Sequence, residues 1–123
     1  MTHLALSRRA GERIFIGTSD DLSSHLSYVE VRGMDTRQKL VRLTINDKRV
    51  TLQDPDNPLG RNKVYIDSQG KPTEEQTDIQ ICLVDFGGYG VRLSIEAPRK
   101  VSIYRGEVLR KKQRELADRG AQR

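Results

Sequence analysis

A chain of 123 residues has room for one small domain. At 35% hydrophobic and 32% charged residues, with no tryptophan, its core is thin enough that oligomerisation would add useful buried surface. The formal charge of +5 sits at the ends, with +2 on residues 1–17, +1 on 78–105 and +3 on 106–123 against −1 on 18–77, a clustering that suits a polyanionic partner. The lone cysteine, Cys82, excludes an intrachain disulfide and fits a reducing, cytoplasmic setting. No apolar run reaches the ~20 residues of a membrane span, and the first residues lack the pattern of a signal peptide.

In chain order, residues 4–7 and 13–16 are short apolar stretches separated by Arg8-Arg9-Ala10-Gly11-Glu12, whose glycine supplies turn chemistry, so the segment reads as a β-hairpin. The middle, 18–77, opens and closes on polar, loop-like sequence. Between these lie β-leaning runs at 28–31, 39–45, 49–53 and 63–66, with a break at residues 54–60. From 79 to 96 the alternation is strong. Ile79, Ile81 and Leu83 share one face, Gly87-Gly88-Tyr89-Gly90 turns the chain, and Val91, Leu93 and Ile95 share a face of the return strand. Pro98 ends that strand, because it has no N–H for the ladder, and Val101 and Ile103 begin another. Beyond Arg105 the four-residue spacing of Glu107, Lys111, Glu115 and Arg119 supports a solvated helix by ~0.2–0.5 kcal/mol per pair.

One internal echo stands out. Val41-Arg42-Leu43-Thr44-Ile45-Asn46 is similar to Val91-Arg92-Leu93-Ser94-Ile95-Glu96, and with one gap Lys48-Arg49-Val50-Thr51-Leu52 is similar to Arg99-Lys100-Val101-Ser102-Ile103. Degenerate strands resemble one another by composition, so chance and a partial duplication of a hairpin with its following strand both account for it.

Three stretches, taken together and in order, resemble the CsrA/RsmA family of RNA-binding translational regulators. They are Leu4 to Gly17 with its Arg8-Arg9 and Gly11-Glu12, the hairpin 79–96 ending in Ala97-Pro98, and Val101-Ser102-Ile103-Tyr104-Arg105 leading into Glu107-Val108. The resemblance covers 1–17 and 78–123, which it makes a discontinuous RNA-binding core, and 18–77 then reads as a β-rich insertion. The implied fold is mainly β: a five-stranded protomer with a C-terminal helix, its strands interleaved in a homodimer.

The implied function is post-transcriptional regulation through GGA motifs in mRNA or small regulatory RNA, usually in hairpin loops. Each implied site is composite. Leu6, Ser7, Arg8 and Arg9 come from one chain, and Ala97, Pro98, Ile103, Tyr104 and Arg105 come from its partner. The chemistry of these residue types agrees. Splayed bases in single-stranded loops are read through their edges, a sheet edge offers backbone donors and acceptors at fixed spacing, and an arginine fork meets guanine or phosphate in bidentate fashion. Arg105 is the first candidate for that fork. By pattern alone, however, Leu6 and Ile103 read first as core residues, and Arg8-Arg9 can be ordinary turn residues.

Two positions depart from the family pattern. Tyr104 stands where the family usually has His, adding an aromatic face able to stack on a base, and Gly106 replaces the first of two typical glutamates. The echo at 41–52 lacks the Ala-Pro step and has Gln53 where an arginine is needed, so no second GGA site is expected there.

The competing reading is a CsrA-like scaffold that engages protein partners through 18–77, with weak or no specific RNA binding; a protein antagonist is compatible with either. No Ser/His/Asp, Cys/His or metal-ligand constellation is present and no Gly-rich phosphate loop precedes a helix, so neither an enzyme nor a cofactor or metal is expected.

Overall fold

The structure is a computed structural model that describes residues 2–18, 27–54, 61–87 and 90–106. Among the described residues ten strands follow in order: β1 (Thr2–Arg8), β2 (Arg13–Thr18), β3 (Ser27–Asp35), β4 (Leu40–Ile45), β5 (Lys48–Gln53), β6 (Lys63–Ile66), β7 (Pro72–Thr73), β8 (Ile79–Gly87), β9 (Gly90–Ala97) and β10 (Val101–Arg105). They form two five-stranded sheets, ordered β1-β9-β8-β6-β7 and β10-β2-β3-β4-β5. Every pairing is antiparallel. The β-leaning runs of the middle segment are all strands, and the hairpin expected over 79–96 is β8–β9. The expected helix after Gly106 lies outside the described residues.

Period-two patterning builds the core. Val91, Leu93, Ile95 and Ala97 of β9 point inward while Arg92 is exposed, and Ile79, Ile81 and Leu83 of β8 do the same. Ile14 and Ile16 of β2, Val29 and Val31 of β3, and Val41, Leu43 and Ile45 of β4 face them, and all belong to one buried cluster. Each such side chain contributes about 1.5–3 kcal/mol by leaving water. The strands of 18–77 share both sheets with the flanking segments, β3–β5 beside β2 and β6–β7 beside β8.

The opening segment corrects a sequence expectation. Residues 4–7 and 13–16 are not a hairpin, because β1 pairs with β9 in one sheet and β2 lies between β10 and β3 in the other. The Arg9–Glu12 link does turn: the Glu12 amide donates to the Arg9 carbonyl at 3.0 Å and Gly11 has φ +88°. Its remaining backbone bonds go to β3, however. The Gly11 amide donates to the Val31 carbonyl (2.7 Å) and the Val31 amide to the Glu12 carbonyl (3.1 Å), so the link spans two sheets.

Turn chemistry also separates the two echoed segments. Asn46 (φ +48°) and Asp47 (φ +67°) form a two-residue turn with both central residues left-handed, the type that matches strand twist, and it folds β5 back onto β4. Pro98 offers no such closure, so β10 leaves β9 and crosses to β2. β1 makes the reverse crossing, from the neighbourhood of β2 to β9. The two terminal strands thus exchange sheets within the one chain.

Candidate nucleic-acid interface

β1 ends one sheet and β10 ends the other, and the two terminal strands are neighbours. Each is paired on one side only within the described sheets. Two strand edges therefore meet at one corner of the molecule, where backbone groups are set at the ~3.3 Å residue spacing of a strand.

The alternation of β1 decides what each residue presents there. Leu6 is 2% exposed and belongs to the core, so its side chain is structural and only its backbone can serve the edge. Ser7 and Arg9 are exposed. Arg8 is 5% exposed: its Nε donates to the Ser7 carbonyl (2.8 Å), its Nη1 to the Arg13 carbonyl (3.5 Å), and Glu12 lies 3.7 Å away. It ties the end of β1 to the following turn, so its guanidinium is a positioning group. Glu12 also accepts from the Arg9 amide at 2.7 Å, closing the turn a second way.

On the partner edge, Ala97 pairs with Thr2 and is fully buried, Pro98 is half-buried, and the Val101 amide donates to the Pro98 carbonyl at 2.9 Å. Ile103 packs against the core and Tyr104 is half-buried opposite Phe15. Arg105 is exposed. The nine candidate residues thus lie on β1 or directly after it (Arg9), at the end of β9 (Ala97), on the step into β10 (Pro98), or on β10. Arg9 and Arg105 carry the exposed forks, while Leu6 and Ala97 give their side chains to the core.

Three neighbours were not found by sequence reasoning. Arg13, on β2, stands 5.6 Å over the Tyr28 ring, and its Nε donates to Glu30 at 3.1 Å. Glu30 also accepts from Arg32 Nη1 at 2.6 Å, and these two bonds, Arg32 first, hold its carboxyl below the usual carboxylate range despite its burial. Gly106 lies against Arg13, with a Cβ there only 3.2 Å from Arg13 Cβ. Gly90 is the third: a Cβ on it would lie 2.6 Å from the Arg8 carbonyl oxygen, so glycine is what lets β1 end where it does. Arg13 carries no local motif, and Gly90 and Gly106 read in sequence only as a turn glycine and a departure from the family pattern. Each emerges only from the β2–β3 and β1–β9 registers.

The corner combines backbone edges, exposed guanidinium groups and a tyrosine, which is binding chemistry. Among the described residues no group of His, Cys, Asp and Glu is placed to hold a metal. Cys82 is half-buried, and burial pushes its thiol up, as for an inert cysteine.

The model of the CsrA family, described as a global regulator protein family, matches residues 73–114. Over this stretch the chain is similar to the CsrA family. The CsrA match takes in β8, β9 and β10, and does not extend to 1–17. The CsrA family is a regulatory, RNA-binding family and not an enzymatic one. No curated protein and no solved structure matches the chain. No helix of the described residues is long and apolar enough to cross a membrane.

Proposed function

We propose that this chain is a CsrA-type post-transcriptional regulator that binds GGA motifs in RNA hairpin loops or leader regions, in the cytoplasm, and so modulates translation or mRNA stability. The observation that carries the reading is the meeting of the β1 and β10 edges at one corner, with Arg9 and Arg105 exposed there. Backbone groups on the two edges read base edges that a hairpin loop splays out. Arg105 supplies the bidentate fork for guanine or phosphate, Arg9 adds phosphate attraction, and Arg8 keeps β1 in place. Sequence preference comes from the edges and salt dependence from the arginines.

The test is a fluorescence titration with a GGA-loop hairpin and a scrambled-loop control at two salt concentrations. The GGA hairpin is expected to bind more tightly at both, with both affinities falling as salt rises. Arg105→Ala is expected to weaken the GGA hairpin by about 1–3 kcal/mol, as for other base-reading arginines. Equal affinity for the two hairpins refutes sequence reading, and an unchanged Arg105→Ala removes that residue from the site.

A further inference from the structure

The two sheets repeat one another strand by strand. In β2–β3, Ile14 pairs with Val29 and Phe15 with Tyr28; in β6–β8, Val64 pairs with Ile81 and Tyr65 with Gln80. In β3–β4, Val29 meets Ile45 and Val31 meets Leu43, the register then slips past Arg32, and Gly33 meets Arg42. In β8–β9, Ile81 meets Ile95 and Leu83 meets Leu93, the register slips past Val84, and Asp85 meets Arg92. A bulge at the same rung of both ladders is not a product of strand composition, since it inserts one residue at one defined place. Beyond it, Met34 and Phe86 return to the core at matching positions. β2-β3-β4 and β6-β8-β9 are two copies of one three-stranded unit, and the echo of 41–46 in 91–96 is its clearest trace in sequence.

Each unit is completed by a strand from the other end of the chain: β1 adds to β9 and β10 adds to β2. Both crossing strands meet at the corner described above. At the opposite corner, β5 and β7 occupy the equivalent places. There the registers allow a residue-by-residue comparison. Arg8 lies opposite Val91, and Leu52 lies opposite Val41 in the equivalent ladder, so Leu52 and Gln53 stand where Arg8 and Arg9 do. Tyr104 lies opposite Phe15, and Thr73 opposite Tyr65; the next residues are Arg105 and Glu74. The arginine positions have become leucine, glutamine and glutamate, and the Glu74 carboxylate is engaged by Arg61.

We infer that the chain is an internally duplicated, self-sufficient unit that binds one RNA hairpin as a monomer, its second corner having lost the residues for a second. The inference rests on the RNA reading for its ligand, but the duplication stands on the registers alone. A carboxylate facing the place of a phosphate or guanine oxygen repels it, and Leu52 has no donor to offer, so the β5/β7 corner is not a weaker copy of the site.

The test is native mass spectrometry of the full chain, alone and with an excess of a single-GGA hairpin, beside light scattering at micromolar concentration. The expected result is the mass of one chain, near 14.0 kDa, and one hairpin per chain at saturation. An RNA carrying two GGA hairpins is expected to bind each copy no more than about 2-fold more tightly than one hairpin, the statistical factor, because a single site gains no avidity. A two-chain mass, or two hairpins on one chain, overturns the inference. A one-chain mass with no binding of any hairpin supports the duplication while overturning the RNA reading, so the two failures are distinguishable.

Discussion

Gly90→Ala isolates the contact that sets the end of β1. A Cβ at this position would lie 2.6 Å from the Arg8 carbonyl oxygen and 3.2 Å from its carbonyl carbon, both backbone atoms. Ordinary contact begins at 3.4 Å, so strand β1 must withdraw by about 0.8 Å (3.4 less 2.6) or β9 must bend. Strain of this kind in a packed region costs about 1–3 kcal/mol. Against it stands the ~0.4–1 kcal/mol gained when alanine restricts the unfolded chain. The strain wins, for a net loss of about 1–2 kcal/mol, read in urea as a lower midpoint at unchanged slope. The displaced end carries Arg8 and Arg9, so affinity for the GGA hairpin is expected to fall about 3- to 10-fold, in line with ~1 kcal/mol of lost positioning. Gly87→Ala is the control. A Cβ there meets nothing within 4 Å, and a change within about 0.5 kcal/mol is expected. Unchanged stability and affinity in Gly90→Ala would refute the claim that close approach at this glycine places the edge.

Further outcomes follow from the core, the tight turn and the buried carboxylate. Leu93→Ala, at a fully buried position facing Leu83 within the sheet and the other sheet beyond, should cost about 2–5 kcal/mol in urea unfolding; a loss below 1 kcal/mol would contradict the two-sheet core. Asn46 accepts from the Tyr28 amide (2.9 Å), donates to the Gly70 carbonyl (2.8 Å) and holds φ +48°, so Asn46→Ala should cost about 2–3 kcal/mol. Asn46→Gly should recover about 1 kcal/mol of that, because it restores the left-handed conformation and not the bonds; equal losses would deny the turn its role. Glu30→Gln should cost about 1 kcal/mol at pH 7, a figure kept small because Arg13 and Arg32 are 43% and 61% exposed. Its folded carboxyl titrates below the ordinary value of 4.5. The stability it confers is therefore complete above that value and lost as pH falls through the lower folded one, so wild type and Glu30→Gln should converge in acid and differ most near neutrality. A gap that widens below pH 4 would refute the assignment.

Most of the strands were legible because period-two alternation or β-leaning composition survives in them, even in the middle segment, whereas the two-residue β7 lies in a stretch that reads as a loop. What sequence could not supply was partnership. Residues 4–7 and 13–16 look like a hairpin because a glycine turn separates two apolar runs, yet the Gly11 and Val31 amides direct the link to β3. The echo of 99–103 in 48–52 suggests one strand role played twice. Instead, Asn46-Asp47 folds β5 onto β4 and Pro98 sends β10 across to β2, so similar strands take unlike places. Among the site residues, Arg9 and Arg105 are exposed as a binding role requires, whereas the burial of Leu6 and Ala97 follows from the same alternation that made them ambiguous. Arg8 was indistinguishable from Arg9 in sequence. Only its inward position in β1 gives it the Ser7 and Arg13 carbonyls to hold.

Where RNA lands is the claim on which the rest depends, and amide chemical-shift mapping on the labelled chain measures it most directly. On addition of a GGA-loop hairpin, the largest shifts are expected at residues 5–9 of β1 and 97–105 leading into and along β10, with residues 48–53 and 72–74 at the opposite corner little changed. Shifts centred on β5 and β7, or spread over both corners alike, would contradict the account.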